Sequence, residues 1–175
     1  MRLKALWVAV SLLAVPGVAL AQSPLDGFKK AAGKQVGDTA KAALEKKINS
    51  KLKQEASKNQ CSFKSGTDVL EPGCDQKLKN LAGVLVDAKK QLDSGGVKNY
   101  KFEVSGHTDS AGDAAKNKQL SEKRAAVIVK ELVARGVLKN EILSVGRGSE
   151  QMLVKPDDTA AKKAKNRRYE VQVRF

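Results

Sequence analysis

The spacing of hydrophobic positions changes along the chain, and each change predicts an element. Ala5 to Val15, ALWVAVSLLAV, is a continuous apolar run behind Arg2 and Lys4, broken by Pro16-Gly17. Val36, Ala40, Leu44, Ile48 and Leu52 then recur at every fourth position, with Ala43 alongside. This predicts a narrow apolar stripe on a helix of about five turns. Cys61–Lys64 reads as a short strand before a turn at Gly66. Leu78, Leu81, Ala82, Leu85, Val86 and Leu92 share one face of a helix predicted over Asp75–Leu92, stopped by Gly95-Gly96. Tyr100, Phe102 and Val104 alternate as a strand. A second helix is predicted from Ser121, as its N-cap, through Val133, with Val127, Ile128 and Leu132 inward and Gly136 as the stop. Ile142, Ser144 and Gly146 form a strand, Thr159–Lys165 a short helix, and Tyr169, Val171, Val173 and Phe175 the last strand. The order β-α-β-α-β-(α)-β predicts an α/β (α+β) sandwich with helices covering a small sheet.

The first apolar run is too short to span a bilayer comfortably, and Ala19-Leu20-Ala21 follows it as a cleavage signal. Residues 1–21 therefore read as a bacterial signal peptide, with no cysteine after the cut to carry a lipid. A periplasmic protein, associated with the outer membrane, is expected. Residues 22–60 read as a basic helical segment or tether, and residues 61–175 as one domain long enough for a single core.

Charge narrows the set of partners. The formal net charge is +14, and removing Arg2 and Lys4 leaves +12. Residues 22–60 carry nine Lys against four acids. Such a chain suits an anionic polymer or membrane surface, and lysine also simply solvates. Nucleic acid is not expected outside the cytoplasm. The Lys/Ala stripe can dock on the domain, pair with an envelope protein, or touch a membrane surface. Cys61 and Cys74, the chain's two cysteines, are expected to form a disulfide in an oxidising compartment. Two cysteines and one histidine without matching spacing argue against a zinc site, and no cofactor is expected.

The candidate chemistry lies in Val104–Gly112, VSGHTDSAG, which contains the only histidine, His107. NKQLSEKRA follows at Asn117–Ala125, then Gly146-Arg147-Gly148 and Asn166-Arg167-Arg168. This set, GHTD-x-x-G, N-x-x-L-S-x-x-R-A, G-x-G and N-R-R in order, resembles the OmpA C-terminal-like family of peptidoglycan-binding domains. That family includes the peptidoglycan-associated lipoproteins and flagellar stator proteins. The resemblance covers residues 61–175 and implies a mixed βαβαβ-type sheet covered by helices. It implies non-covalent binding of peptidoglycan through the diaminopimelate of its stem peptide, with no catalysis. By position it implies Asp109 as the acidic ligand-binding residue and Arg124 as the basic one. Asn117 and Thr108 would line the pocket, and Arg168 would contact an anion. Lys162-Lys163, Ser149 and Met152 depart from the family pattern.

The implied roles make chemical sense. A free amino-acid head carries an ammonium and a carboxylate on one carbon. Asp109 can accept from the first, and Arg124 can grip the second with two parallel hydrogen bonds. The helix N-terminus expected at Ser121 would add positive potential beside Arg124. On spacing alone, Asp109 could equally close an Asx-turn, and Arg124 could be a surface arginine. His107 is expected to be structural, hydrogen-bonded under the loop. Gly106 and Gly112 are expected at tight bends. The alternatives are a basic module for lipopolysaccharide or nucleic acid, and a cell-wall hydrolase. The latter lacks an evident second carboxylate or metal partner.

Overall fold

A computed structural model describes the backbone from Pro24 and the side chains from Gly37 to Phe175. The expected signal peptide, residues 1–21, and the side chain of Val36 lie outside the described residues. The elements are α1 (Pro24–Lys58), α2 (Asp75–Ser94), β1 (Lys101–His107), α3 (Ala114–Ala134), β2 (Ile142–Gly148), α4 (Ala160–Asn166) and β3 (Tyr169–Arg174). The sheet order is β2-β1-β3, with β1 parallel to β2 and antiparallel to β3. Among the described residues no helix is long and apolar enough to cross a membrane.

β1 is the central strand, and alternation assigns its faces. Phe102, Val104 and Gly106 pair with Val173, Val171 and Tyr169 of β3. This face meets the helices through Leu78, Leu81, Leu85 and Leu92 of α2 and Ile128 and Leu132 of α3, all buried. Contact with α3 is very close. A Cβ on Gly106 would fall 2.2 Å from the Ser121 carbonyl oxygen, and one on Gly146 would fall 2.6 Å from that of Lys118. Gly106 therefore lets helix and sheet approach rather than bending the chain. Gly112, with φ +89°, does occupy the left-handed conformation a bend needs.

The expected boundary between residues 60 and 61 does not divide the structure. A compact unit spans Gly37–Phe175, and the C-terminal turns of α1 belong to its core. Ile48 is 3% exposed, Leu52 0% and Ala56 2%, so this part of the stripe docks rather than forming a tether. Burying such side chains stabilises by about 1.5–3 kcal/mol each for the larger ones. α1 also closes the free edge of β3. The Asn49 side chain donates Nδ2 to the Val173 carbonyl at 3.1 Å and accepts from Val173 N at 2.7 Å. Gln60 repeats this on Tyr169, donating Nε2 at 2.7 Å and accepting N–H at 3.2 Å. Two side-chain amides thus do the work of a neighbouring strand.

This explains why the strand expected at Cys61–Lys64 is absent. With the β3 edge occupied, residues 61–70 form only one isolated bridge, Phe63 to Leu70. α3 differs too. It begins seven residues before Ser121, capped by Asp113, whose side chain accepts from Lys116 N. Ser121 is a fully buried mid-helix residue. Its hydroxyl donates to the Lys118 carbonyl at 2.7 Å and accepts from Gly148 N at 2.9 Å, tying α3 to the end of β2.

Candidate functional site

β1 ends at His107, and the chain turns into Thr108–Gly112 beside the end of α4. A cleft of about 1010 Å³ opens there, lined in part by Asp109, Asn117, Arg124, Arg167 and Arg168. Asp109 is fixed twice. Its Oδ1 accepts from Ala111 N at 3.1 Å, the Asx-turn allowed by its sequence, and its Oδ2 accepts from Arg167 Nη1 at 2.7 Å. The loop behind it is tied down by Asp157. That carboxylate accepts from Ser110 N at 2.9 Å and from the Ser110 hydroxyl. These bonds, with one from Asn166, hold the Asp157 carboxyl down to about 2. Asn166, 0% exposed, bonds Leu153 N, Val154 N, the Val154 carbonyl and Asp157 with its one amide. Asn117 donates to the Ala111 carbonyl at 2.8 Å, linking α3 to the same loop.

Arg124 approaches from α3. It lies well inside the helix, so the N-terminal potential expected beside it is supplied by no helix end. Its guanidinium lies 5.0 Å from the Phe63 ring centroid, a cation–π contact. Nε donates to the Thr67 carbonyl at 2.8 Å and Nη2 to that of Lys64 at 3.4 Å. Burial lowers its pKa, as does Arg167 nearby, while Asp109 opposes them. Asp109 and Arg124 are thus brought to one cleft, close enough for each to feel the other's field.

Thr108 is also there, 4% exposed. Its N–H donates to the Gly148 carbonyl at 2.9 Å, and its buried hydroxyl has no hydrogen-bond partner among the described residues. The side chain of Arg168 is already engaged. It donates to Glu170 at 2.7 Å, to the Gln151 carbonyl at 3.0 Å and to that of Asn166 at 3.3 Å. Arg167 is the member of the pair that faces Asp109. His107 is buried as expected, but neither ring nitrogen has a hydrogen-bond partner among the described residues. Burial, then Arg168, pushes its pKa down to about 4, with Arg147 adding and Glu170 opposing. It is therefore a neutral imidazole at neutral pH.

Cys61 and Cys74 are free, buried thiols in the structure. They are neighbours nonetheless: Cys61 Sγ lies 3.9 Å from the Cys74 carbonyl oxygen. Burial, then contact with Cys74, pushes the Cys61 thiol up to about 12.

A model of the OmpA family matches residues 62–167. The chain is 38% identical over 111 residues to outer membrane porin F of Pseudomonas fluorescens, covering 63% of this chain and 31% of that protein. It is 40% identical over 70 residues to the peptidoglycan-binding protein ArfA of Mycobacterium tuberculosis, covering 40% of this chain and 21% of ArfA. The chain thus spans about a third or less of these relatives. The peptidoglycan-associated lipoprotein from Burkholderia pseudomallei superposes with TM-score 0.56 at 21% identity, over 69% of this chain and 93% of the other. The C-terminal domain of Helicobacter pylori MotB gives 0.54 at 22%, over 66% and 84%. These two structures show the shared fold.

Proposed function

Because the chain belongs to the OmpA family, we propose that it binds cell-wall peptidoglycan non-covalently through a stem-peptide amino-acid head, diaminopimelate, and so anchors or organises the envelope. One observation carries the reading: a carboxylate, Asp109, on the turn after β1, and a guanidinium, Arg124, on α3, line one cleft. Asp109 accepts from the ligand's ammonium. Arg124 donates to its carboxylate with whatever N–H groups the Thr67 and Lys64 carbonyls leave free. Arg167, already on Asp109, contributes a second cation beside the head. Thr108 lies at the cleft with its hydroxyl buried, and Asn117 holds the loop. Binding needs no chemical step. The name of the ArfA relative supports this ligand class.

Export by residues 1–21 into the periplasm is part of the same proposal, supported by the envelope names of the relatives. So is an oxidised Cys61–Cys74 pair. Co-sedimentation with purified sacculi tests the site. Asp109→Ala and Arg124→Ala should each lose about tenfold or more, given roughly 1.5–3 kcal/mol per charged hydrogen bond. Undiminished sedimentation of both variants would refute the assignment, and release of soluble fragments would indicate a hydrolase.

A further inference from the structure

The cleft extends beyond Asp109 and Arg124, and one wall is made partly by residues that precede the family match. Lys53 and Ser57 of α1 line it, with Gln60 just beyond that helix and Lys165 of α4. Lys53, Ser57 and Gln60 lie ahead of residue 62, where the family match begins. Gln60 is locked to β3 through both of its amide atoms, and Ala56 is buried on the core. That stretch is consequently a fixed wall.

The charges on this wall are uncompensated. Arg167 is paired with Asp109, and Arg168 with Glu170. What remains on the cleft is Arg124, Lys53 and Lys165 against Glu71. Lys53 and Lys165 are exposed, and among the described residues neither has an ion-pair or hydrogen-bond partner. A zwitterionic head presents one ammonium and one carboxylate. It satisfies Asp109 and Arg124 and leaves the two lysines in surplus. Electrostatic complementarity then favours further negative charge on the ligand.

We propose that Lys53 and Lys165 form a second, carboxylate-binding subsite that receives the free carboxy terminus of the same stem peptide. The inference rests on the head-group reading above. The chain then distinguishes an uncross-linked stem, whose terminal carboxylate is free, from one whose terminus is amidated or otherwise blocked.

Titration calorimetry on the exported chain tests this, using a diaminopimelate-containing stem peptide and the same peptide amidated at its carboxy terminus. Wild type should bind the free acid more tightly. Lys53→Gln and Lys165→Gln should each weaken the free acid about threefold, in keeping with solvent-exposed pairs, and leave the amide unchanged. Lys47→Gln, exposed on the same helix but outside the cleft, should change neither. Equal binding of both peptides by wild type would overturn the subsite. So would a double lysine variant that binds the free acid as wild type does, or that weakens both peptides alike. Asp109→Ala separates the two readings. If it loses both peptides while the lysine variants have no effect, the head site stands and the subsite falls. If it keeps both, the head-group reading falls and takes the subsite with it.

Discussion

The two walls that present Asp109 and Arg124 are built differently. The Asp109 wall, residues 107–112 backed by 153–168, is held by side chains that need not touch a ligand: Asp157, Asn166 and Asn117. The facing wall, residues 61–71, has one isolated bridge and three backbone hydrogen bonds of 2.9–3.1 Å. Its remaining tie to the domain includes Arg124 itself, through the Thr67 and Lys64 carbonyls and the Phe63 ring. The acid is therefore positioned by dedicated groups, whereas the base positions its own wall. Disturbing the Asp109 wall should cost stability first and recognition second. Disturbing Arg124 should do the reverse.

The largest expected effect is at Asn166. Asn166→Ala removes the partner of two N–H groups and a carbonyl in a buried loop and frees one side of Asp157. At roughly 1–3 kcal/mol per unsatisfied buried group, with partial relaxation, about 4 kcal/mol of stability should be lost. Urea unfolding measures it. Arg124→Ala should cost about 1 kcal/mol, because its carbonyl partners lie on a solvent-accessible loop where water can replace it. A loss at Arg124 as large as that at Asn166 would erase the contrast between the walls.

Much of this was legible in the sequence, and each miss has a physical cause. The two helices and the strands after residue 74 follow from apolar period and glycine stops. The first turns of α3 are polar, Ala114–Gln119, so hydrophobic period could not reveal them, although Asp113 before them is a good N-cap. The strand expected at Cys61–Lys64 lost to Asn49 of α1 and to Gln60 just after it, which satisfy the β3 edge from more than a hundred residues away. No local pattern announces such a contact. Arg168 was assigned by motif position. In the structure it lines the cleft, and its guanidinium also pairs with Glu170. Arg167 is the member left for Asp109. Asp157 had no motif to mark it.

His107 tests the rigidity of the Asp109 wall by pH. Its folded pKa, about 4, lies below the ordinary histidine value. Above about pH 6.5 both folded and unfolded chains hold it neutral, and it imposes no penalty. As pH falls from there to about 4, the unfolded chain takes up a proton that the folded one refuses, so stability drops. The shift corresponds to about 3 kcal/mol. Carboxylates titrate in part of the same window, so the comparison is with His107→Asn. The variant's unfolding free energy should fall less between pH 7 and pH 4.5, by about 2–3 kcal/mol. Parallel profiles would mean that the imidazole is protonated in place and the wall yields to it.

The opposite wall should gain from its cysteines. A Cys61–Cys74 bridge closes a short loop and should stabilise by about 2–3 kcal/mol. The Cys61 thiol, raised to about 12, is a poor source of thiolate once folded. The bridge should therefore form during oxidative folding and only slowly when oxidant meets the folded, reduced protein. Intact mass after alkylation, with and without reductant, reads both. Rapid bridging of the folded dithiol would show that this wall opens readily.

The smallest effect concerns the joint between α1 and the start of the weaker wall. Gln60→Ala leaves the Tyr169 N–H and carbonyl without their side-chain partner. Asn49 still holds the other end of the strand at Val173, and the Tyr169 hydroxyl still donates to the Asn59 carbonyl. The loss should thus be about 1 kcal/mol, a single local pair of hydrogen bonds partly replaced by water. Hydrogen exchange is the sensitive readout. The amide of Tyr169 should lose protection by about fivefold, while that of Val173 stays as it was. Gln60→Glu sharpens the test. Its carboxylate can still accept from Tyr169 N–H but can no longer donate to the Tyr169 carbonyl, and it sets a charge against that oxygen. If the paired amide is what seals the edge, Glu should be no better than Ala at holding β3. Equal loss of protection at Tyr169 and Val173 would instead mean that α1 leaves the edge as one unit.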